Sequence, residues 1–113
     1  MATMRILLSG EFMAAHTADA LAHPDGRLHR YFVRVTLEYP DDGAPVNWDA
    51  LSAALDGRLA LLEHKLLTGV PGLAGVTPEA VARFLLGKFT ALGPRVASVE
   101  VGLNGGASAT ALV

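Results

Sequence analysis

With no cysteine among 113 residues, no thiolate can serve as nucleophile or metal ligand, and acid–base and soft-ligand chemistry falls to four histidines. His16 sits where a first strand ends and His29 where a second begins, so antiparallel pairing brings both imidazoles to one end of a sheet. Two such rings could share a ligand. Catalytic zinc usually takes three protein ligands plus water, and the third would be His23 from the intervening loop, with Asp19 and Asp25 as weaker substitutes. The same pair also reads as ordinary polar residues beside a strand pair.

Glu63-His64-Lys65 closes a helical pattern, and His64 there could act as general acid or base because an imidazole titrates near neutral pH, at ~6.5. Neighbours on a helix point ~100° apart, so a Glu63–His64 dyad requires local unwinding or a contact from another chain. Alternatively, His64 and Lys65 simply meet the negative end of the helix dipole. Arg27 and Arg30 flank His29 and could hold a carboxylate or phosphate through paired hydrogen bonds. Glu79 satisfies the positive end of a second helix and could also reach a site. Gly105-Gly106 lacks the strand-to-helix context and lysine of a phosphate loop and reads as a hairpin turn.

Residues Arg5 to Met13 form a short strand in which Gly10 implies a bulge or a close backbone approach. His16 to Arg27, with Pro24-Asp25-Gly26, is a loop. From His29 to Tyr39 the alternation is strict: His29, Tyr31, Val33, Val35 and Leu37 share one face, and Arg30, Phe32, Arg34, Thr36 and Glu38 the other. Asn47 caps a helix whose apolar stripe is Trp48, Leu51, Leu55, Leu59, Leu62 and Leu66. Leu67 to Gly75 connects to a second helix opened by Thr77-Pro78-Glu79, with Val81, Leu85, Phe89 and Leu92 on its buried face. Gly93-Pro94 stops it, and Val96 to Leu103 pairs with Ala107 to Val113 across Asn104-Gly105-Gly106.

The order strand, strand, helix, helix, strand, strand fits one α+β domain spanning residues 1–113: a four-stranded antiparallel sheet with both helices on one face. The uncovered face and the free edges would be removed by joining sheets across subunits into a barrel, which predicts a homo-oligomer. A net charge of −2 with interspersed signs leaves no electrostatic footprint for nucleic acid or an anionic membrane surface. The charge-free stretch Leu66–Pro78 falls short of the ~20 apolar residues of a spanning helix and carries Gly and Pro. The N-terminus lacks a signal-peptide core, which points to the cytoplasm.

Phe12-Met13-Ala14-Ala15-His16, His29-Arg30-Tyr31-Phe32-Val33-Arg34-Val35, Leu62-Glu63-His64-Lys65-Leu66-Leu67 and Thr77-Pro78-Glu79, in this order and spacing, resemble the 6-pyruvoyltetrahydropterin synthase and 6-carboxytetrahydropterin synthase family. Val46-Asn47-Trp48 is similar to the family segment leading into the first helix. The resemblance implies a tunnelling fold, hexamers of two stacked trimers, and intersubunit sites that bind zinc through three histidines. His16 matches the first ligand and His29 the second histidine of a His-Gly-His motif whose first histidine is replaced by Arg27. The family's catalytic cysteine has no counterpart, and His23 falls nearest its place. Glu63-His64 matches an Asp-His pair, and Glu79 a glutamate near the substrate pocket. Leu103-Asn104 aligns with a Glu-Thr pair whose glutamate anchors the pterin ring, a role Leu103 cannot fill. Pterin donors left unpaired in a buried pocket cost ~1–3 kcal/mol each.

The expectation is thus a divergent enzyme on this scaffold, moving protons on a small molecule other than a standard pterin in a lyase-, isomerase- or cyclase-type reaction. His64 and Glu63 are its candidate catalytic residues. Arg27, Glu79 and His23 are candidates for substrate binding, and His16 and His29 for zinc. The alternative is a non-catalytic ligand-binding or assembly protein that keeps the oligomeric scaffold, as a trimer or hexamer.

Overall fold

The computed structural model describes residues 3–15, 29–40, 43, 45–90, 95–103 and 107–113. His16, His23 and Arg27, with Asp19 and Asp25, lie outside the described residues, as do Leu92, Gly93-Pro94 and the Asn104-Gly105-Gly106 turn. Strands β1 (Thr3–Ala14) and β2 (His29–Pro40) are followed by helices α1 (Trp48–Leu59) and α2 (Pro78–Thr90), then by β3 (Val96–Leu103) and β4 (Ser108–Leu112). The sheet runs β1-β2-β3-β4, antiparallel throughout. This is the ββααββ arrangement that the pattern predicts.

The alternation in β2 becomes the division between two environments. Tyr31, Val33, Val35 and Leu37 are buried beneath the helices, whereas Arg30, Phe32 and Arg34 are exposed on the reverse. Ile6 and Phe12 of β1, and Val99 and Val101 of β3, extend the buried layer. Fully burying an apolar side chain of this size contributes roughly 1.5–3 kcal/mol, so the helix-facing side specifies register. A one-residue slip would turn every one of these side chains to water.

Register between β1 and β2 is continuous from Thr3 opposite Pro40 to Ala14 opposite His29, so Gly10 makes no bulge. It makes a close approach instead. A Cβ at position 10 would stand 2.8 Å from Leu59 Cδ1 and 3.4 Å from Leu55 Cδ2. The absent side chain lets α1 settle onto β1.

The two helices sit on the sheet differently. Asn47 caps α1 as expected, its Oδ1 accepting a hydrogen bond from the Ala50 amide at 3.0 Å. The helix buries only Leu55 and Leu59. Trp48, expected on its apolar stripe, is 54% exposed, and the helix stops at Leu59, before Leu62 and Leu66. By contrast α2 begins at Pro78 as predicted and buries Ala80, Val81, Ala82, Leu85 and Phe89.

On the reverse face, register partners carry opposite charges. Arg5 Nε lies 3.2 Å from Glu38 Oε1, and Arg34 Nη1 3.7 Å from Glu100 Oε1. Leu7 and Phe32, 52% and 39% exposed, stand on the same face. Among the described residues no helix is long and apolar enough to cross a membrane.

Candidate acid–base site

The residues after α1 leave the helical path because an edge strand competes for their hydrogen bonds. The amides of Leu61 and Leu62 donate three residues back, to the carbonyls of Arg58 and Leu59, which tightens the last turn. His64 then adopts φ +55°, the only positive φ on a non-glycine residue among those described. Its amide turns away from the helix and donates to the Met13 carbonyl of β1 at 2.7 Å. Glu63 Oε2 accepts the Met13 amide at 3.2 Å. Just past the end of β1, the Ala15 amide donates to Lys65 O at 2.9 Å and the Leu67 amide to Ala15 O at 3.0 Å. The tail of α1 thus takes up outward-facing main-chain groups that an edge strand would otherwise leave to water or to another strand.

This winding answers the geometric objection to a Glu63–His64 dyad. With His64 out of helical geometry, its Nε2 lies 3.5 Å from Glu63 Oε1. One carboxylate oxygen therefore stands beside the imidazole while the other accepts from the Met13 amide. Both side chains reach solvent, His64 at 66% and Glu63 at 40% exposure, so the dyad is open to a ligand in the single chain.

His29, half-buried, opens β2 opposite Ala14, the residue after Met13. Strand pairing thereby brings His29 to the sheet corner where His64 is pinned. His16 follows Ala15 in the chain but lies outside the described residues, as do His23 and Arg27. Glu79 is exposed in the first turn of α2. No hydrogen bond or ion pair among the described residues joins it to Glu63 or His64. Among these residues no group of three or more His, Asp or Glu side chains stands together as a metal site.

Tyr31 is a member of this corner that its position in an alternating strand disguises as plain core. Its ring stacks on Phe12 at 4.9 Å and 7°, and its hydroxyl donates to the Val76 carbonyl. That bond ties β2 to the segment leading into Thr77-Pro78-Glu79. Burial pushes the phenol up to about 12 from an ordinary 10. The role of Met13 was equally hidden, since it rests on main-chain groups and leaves no side-chain signature.

Four antiparallel strands in ββααββ order with two helices on one face define the tunnelling fold. The family model for 6-pyruvoyl tetrahydropterin synthase matches residues 5–111, and the chain belongs to that family. The solved structure of the Caenorhabditis elegans 6-pyruvoyl tetrahydropterin synthase superposes with a TM-score of 0.69 at 16% identity, covering 99% of this chain and 95% of that one. At that identity the superposition speaks for the fold.

Proposed function

We propose that this chain is a divergent, pterin-synthase-like enzyme that moves a proton on a small molecule, in a lyase-, isomerase- or cyclase-type reaction. The carrying observation is the Glu63–His64 turn, held out of helical geometry by Met13 with the imidazole beside a carboxylate. His64 takes a proton from carbon or oxygen of the substrate and returns it elsewhere. Glu63 orients the ring and offsets the positive charge it acquires. Glu79, Arg27 and His23 are the groups we assign to substrate binding, with Arg27 on an anionic part of the molecule. The single domain assembles as a homo-oligomer, in which the open sheet face with Leu7 and Phe32 is covered.

A metal would rest on His16 and His29, which is two imidazoles where catalytic zinc usually has three protein ligands. Arg27 is no replacement, because a guanidinium has no lone pair to donate. His23 must complete the set if zinc is held, and the proton-transfer proposal uses no metal.

The substrate differs from a standard pterin, because β3 ends on Leu103, opposite Tyr31, and leucine cannot accept the donors of a pterin edge. The same substitution and the absence of cysteine support the alternative, a non-catalytic binding or assembly protein. The two separate on incubation in D2O with a panel of hydroxy- and oxo-bearing pterins and short oxo acids. Deuterium incorporation by the wild type, reduced about 10²–10⁴-fold in His64→Gln, is the expected result. Incorporation that is absent throughout, or undiminished in the variant, removes the acid–base role. Zinc content of the wild type, His16→Ala and His29→Ala tests the metal: stoichiometric zinc lost in both variants is expected of a site, and zinc-free protein in every preparation eliminates it.

A further inference from the structure

The wall of the Glu63–Lys65 turn continues into a cavity of about 530 Å³ between that turn, the 3-10 turn at Leu67–Gly69 and the outer side of α2. Its size falls within the ~300–1,000 Å³ of ordinary small-molecule pockets. Leu66, Val70, Pro71 and Phe84 supply apolar surface, and Lys65 and Lys88 bring in ammonium groups. Lys88 Nζ lies over the Phe84 ring, 5.3 Å from its centre, which keeps that cation at the cavity rather than free in solvent. Among the described residues no carboxylate pairs with either lysine. Two cations without counter-ions beside an apolar floor are complementary to one kind of molecule: a ring-sized or branched apolar body carrying one anionic group.

We propose that this cavity is a binding site for a small amphipathic anion, such as an aromatic carboxylate or sulfonate, with the ring over Phe84 and Val70 and the anionic group between Lys65 and Lys88. None of its residues belongs to the acid–base pair, so the proposal stands independently of the catalytic one.

The test uses 8-anilinonaphthalene-1-sulfonate as anionic probe and N-phenyl-1-naphthylamine as the same ring system without charge, with binding followed by fluorescence and by backbone amide shifts. The sulfonate should bind at least tenfold more tightly than the neutral amine and shift amides within residues 61–71 and 84–88. Lys65→Gln combined with Lys88→Gln should weaken it about tenfold or more. Gly69→Glu should do the same, since Gly69 lines the cavity and a Cβ there meets nothing within 4 Å. Equal affinity for the two probes, unchanged affinity in both variants, or amide shifts confined to the open sheet face or a subunit contact would each overturn the assignment.

Discussion

The two helices lie on one sheet and are held by opposite means. α2 buries five residues along its length against β3 and β4. α1 buries two, and is held at its ends by the Asn47 cap and by the tail hydrogen-bonded to Met13 and Ala15. α1 also ends in a tail that is itself anchored, because Leu62 and Leu67 beyond its last turn are fully buried while the main chain between them leaves the helical path. The candidate acid–base pair lies in that tail. The contrast is sharpest where apolar contacts are removed. Leu85→Ala in α2, at a fully buried site, should cost about 2–5 kcal/mol. Leu51→Ala in α1, only half-buried, should cost about 1 kcal/mol or less. Chemical denaturation of the pair checks this, and equal losses would abolish the distinction.

The next effect tests whether the seat of α1 on β1 passes to the tail. Gly10→Val places a branched side chain where even a Cβ meets Leu59 Cδ1 at 2.8 Å, and overpacking of this kind typically costs ~1–3 kcal/mol. Leu59 is the last residue of α1, so the displacement should also move the His64 ring resonances in an NMR spectrum. A full stability loss with unmoved His64 signals would mean that the tail is positioned by β1 alone.

Tyr31 ties the corner of the sheet to the start of α2, and its titration reports that packing. Because burial raises the folded phenol to about 12 while the unfolded one ionises near 10, its stabilising effect is complete below pH 10. Above pH 10 only the unfolded state loses the proton, so stability should fall by about 1.4 kcal/mol per pH unit until pH approaches 12. Tyr31→Phe should remove that slope and cost about 0.5–1.5 kcal/mol at neutral pH for the lost bond to the Val76 carbonyl. Absorbance titration near 295 nm and denaturation between pH 9 and 12 read both effects.

How much of this the sequence discloses depends on which quantities are local. The alternation in β2 and the Pro78 start of α2 report burial and backbone preference within a few residues, and both hold in the structure. The helical stripe through Leu62 and Leu66 misleads for the same reason. Leu62 is fully buried and Leu66 half-buried, but from a turn and from a bridge to Ala15. Periodicity marks which side chains go inside; it does not follow the main chain that carries them. Likewise the edge groups of Met13 come from strand order, fifty positions away from Glu63. His29 can be placed beside Ala14 because strand pairing is legible. His16, His23 and Arg27 fall in the segment outside the described residues.

The smallest effect discriminates between a continued helix and a left-handed turn at residue 64. At a helix interior Ala is more stable than Gly by about 1 kcal/mol, so if residue 64 merely continued α1, His64→Ala should exceed His64→Gly by that amount. At φ +55° the order reverses. A residue with a Cβ costs roughly 1–2 kcal/mol in the left-handed region, partly offset by the extra freedom glycine gives the unfolded chain. His64→Gly should therefore be more stable than His64→Ala by about 0.5–1 kcal/mol, while both lose proton transfer. Both variants lack the imidazole, so its contact with Glu63 cancels from the comparison and the sign reports backbone strain against the unfolded-chain entropy of glycine. A glycine advantage together with lost exchange is the outcome expected of a left-handed residue that also carries the acid–base group. An alanine advantage would mean that residue 64 continues α1 in helical geometry instead of turning at φ +55°.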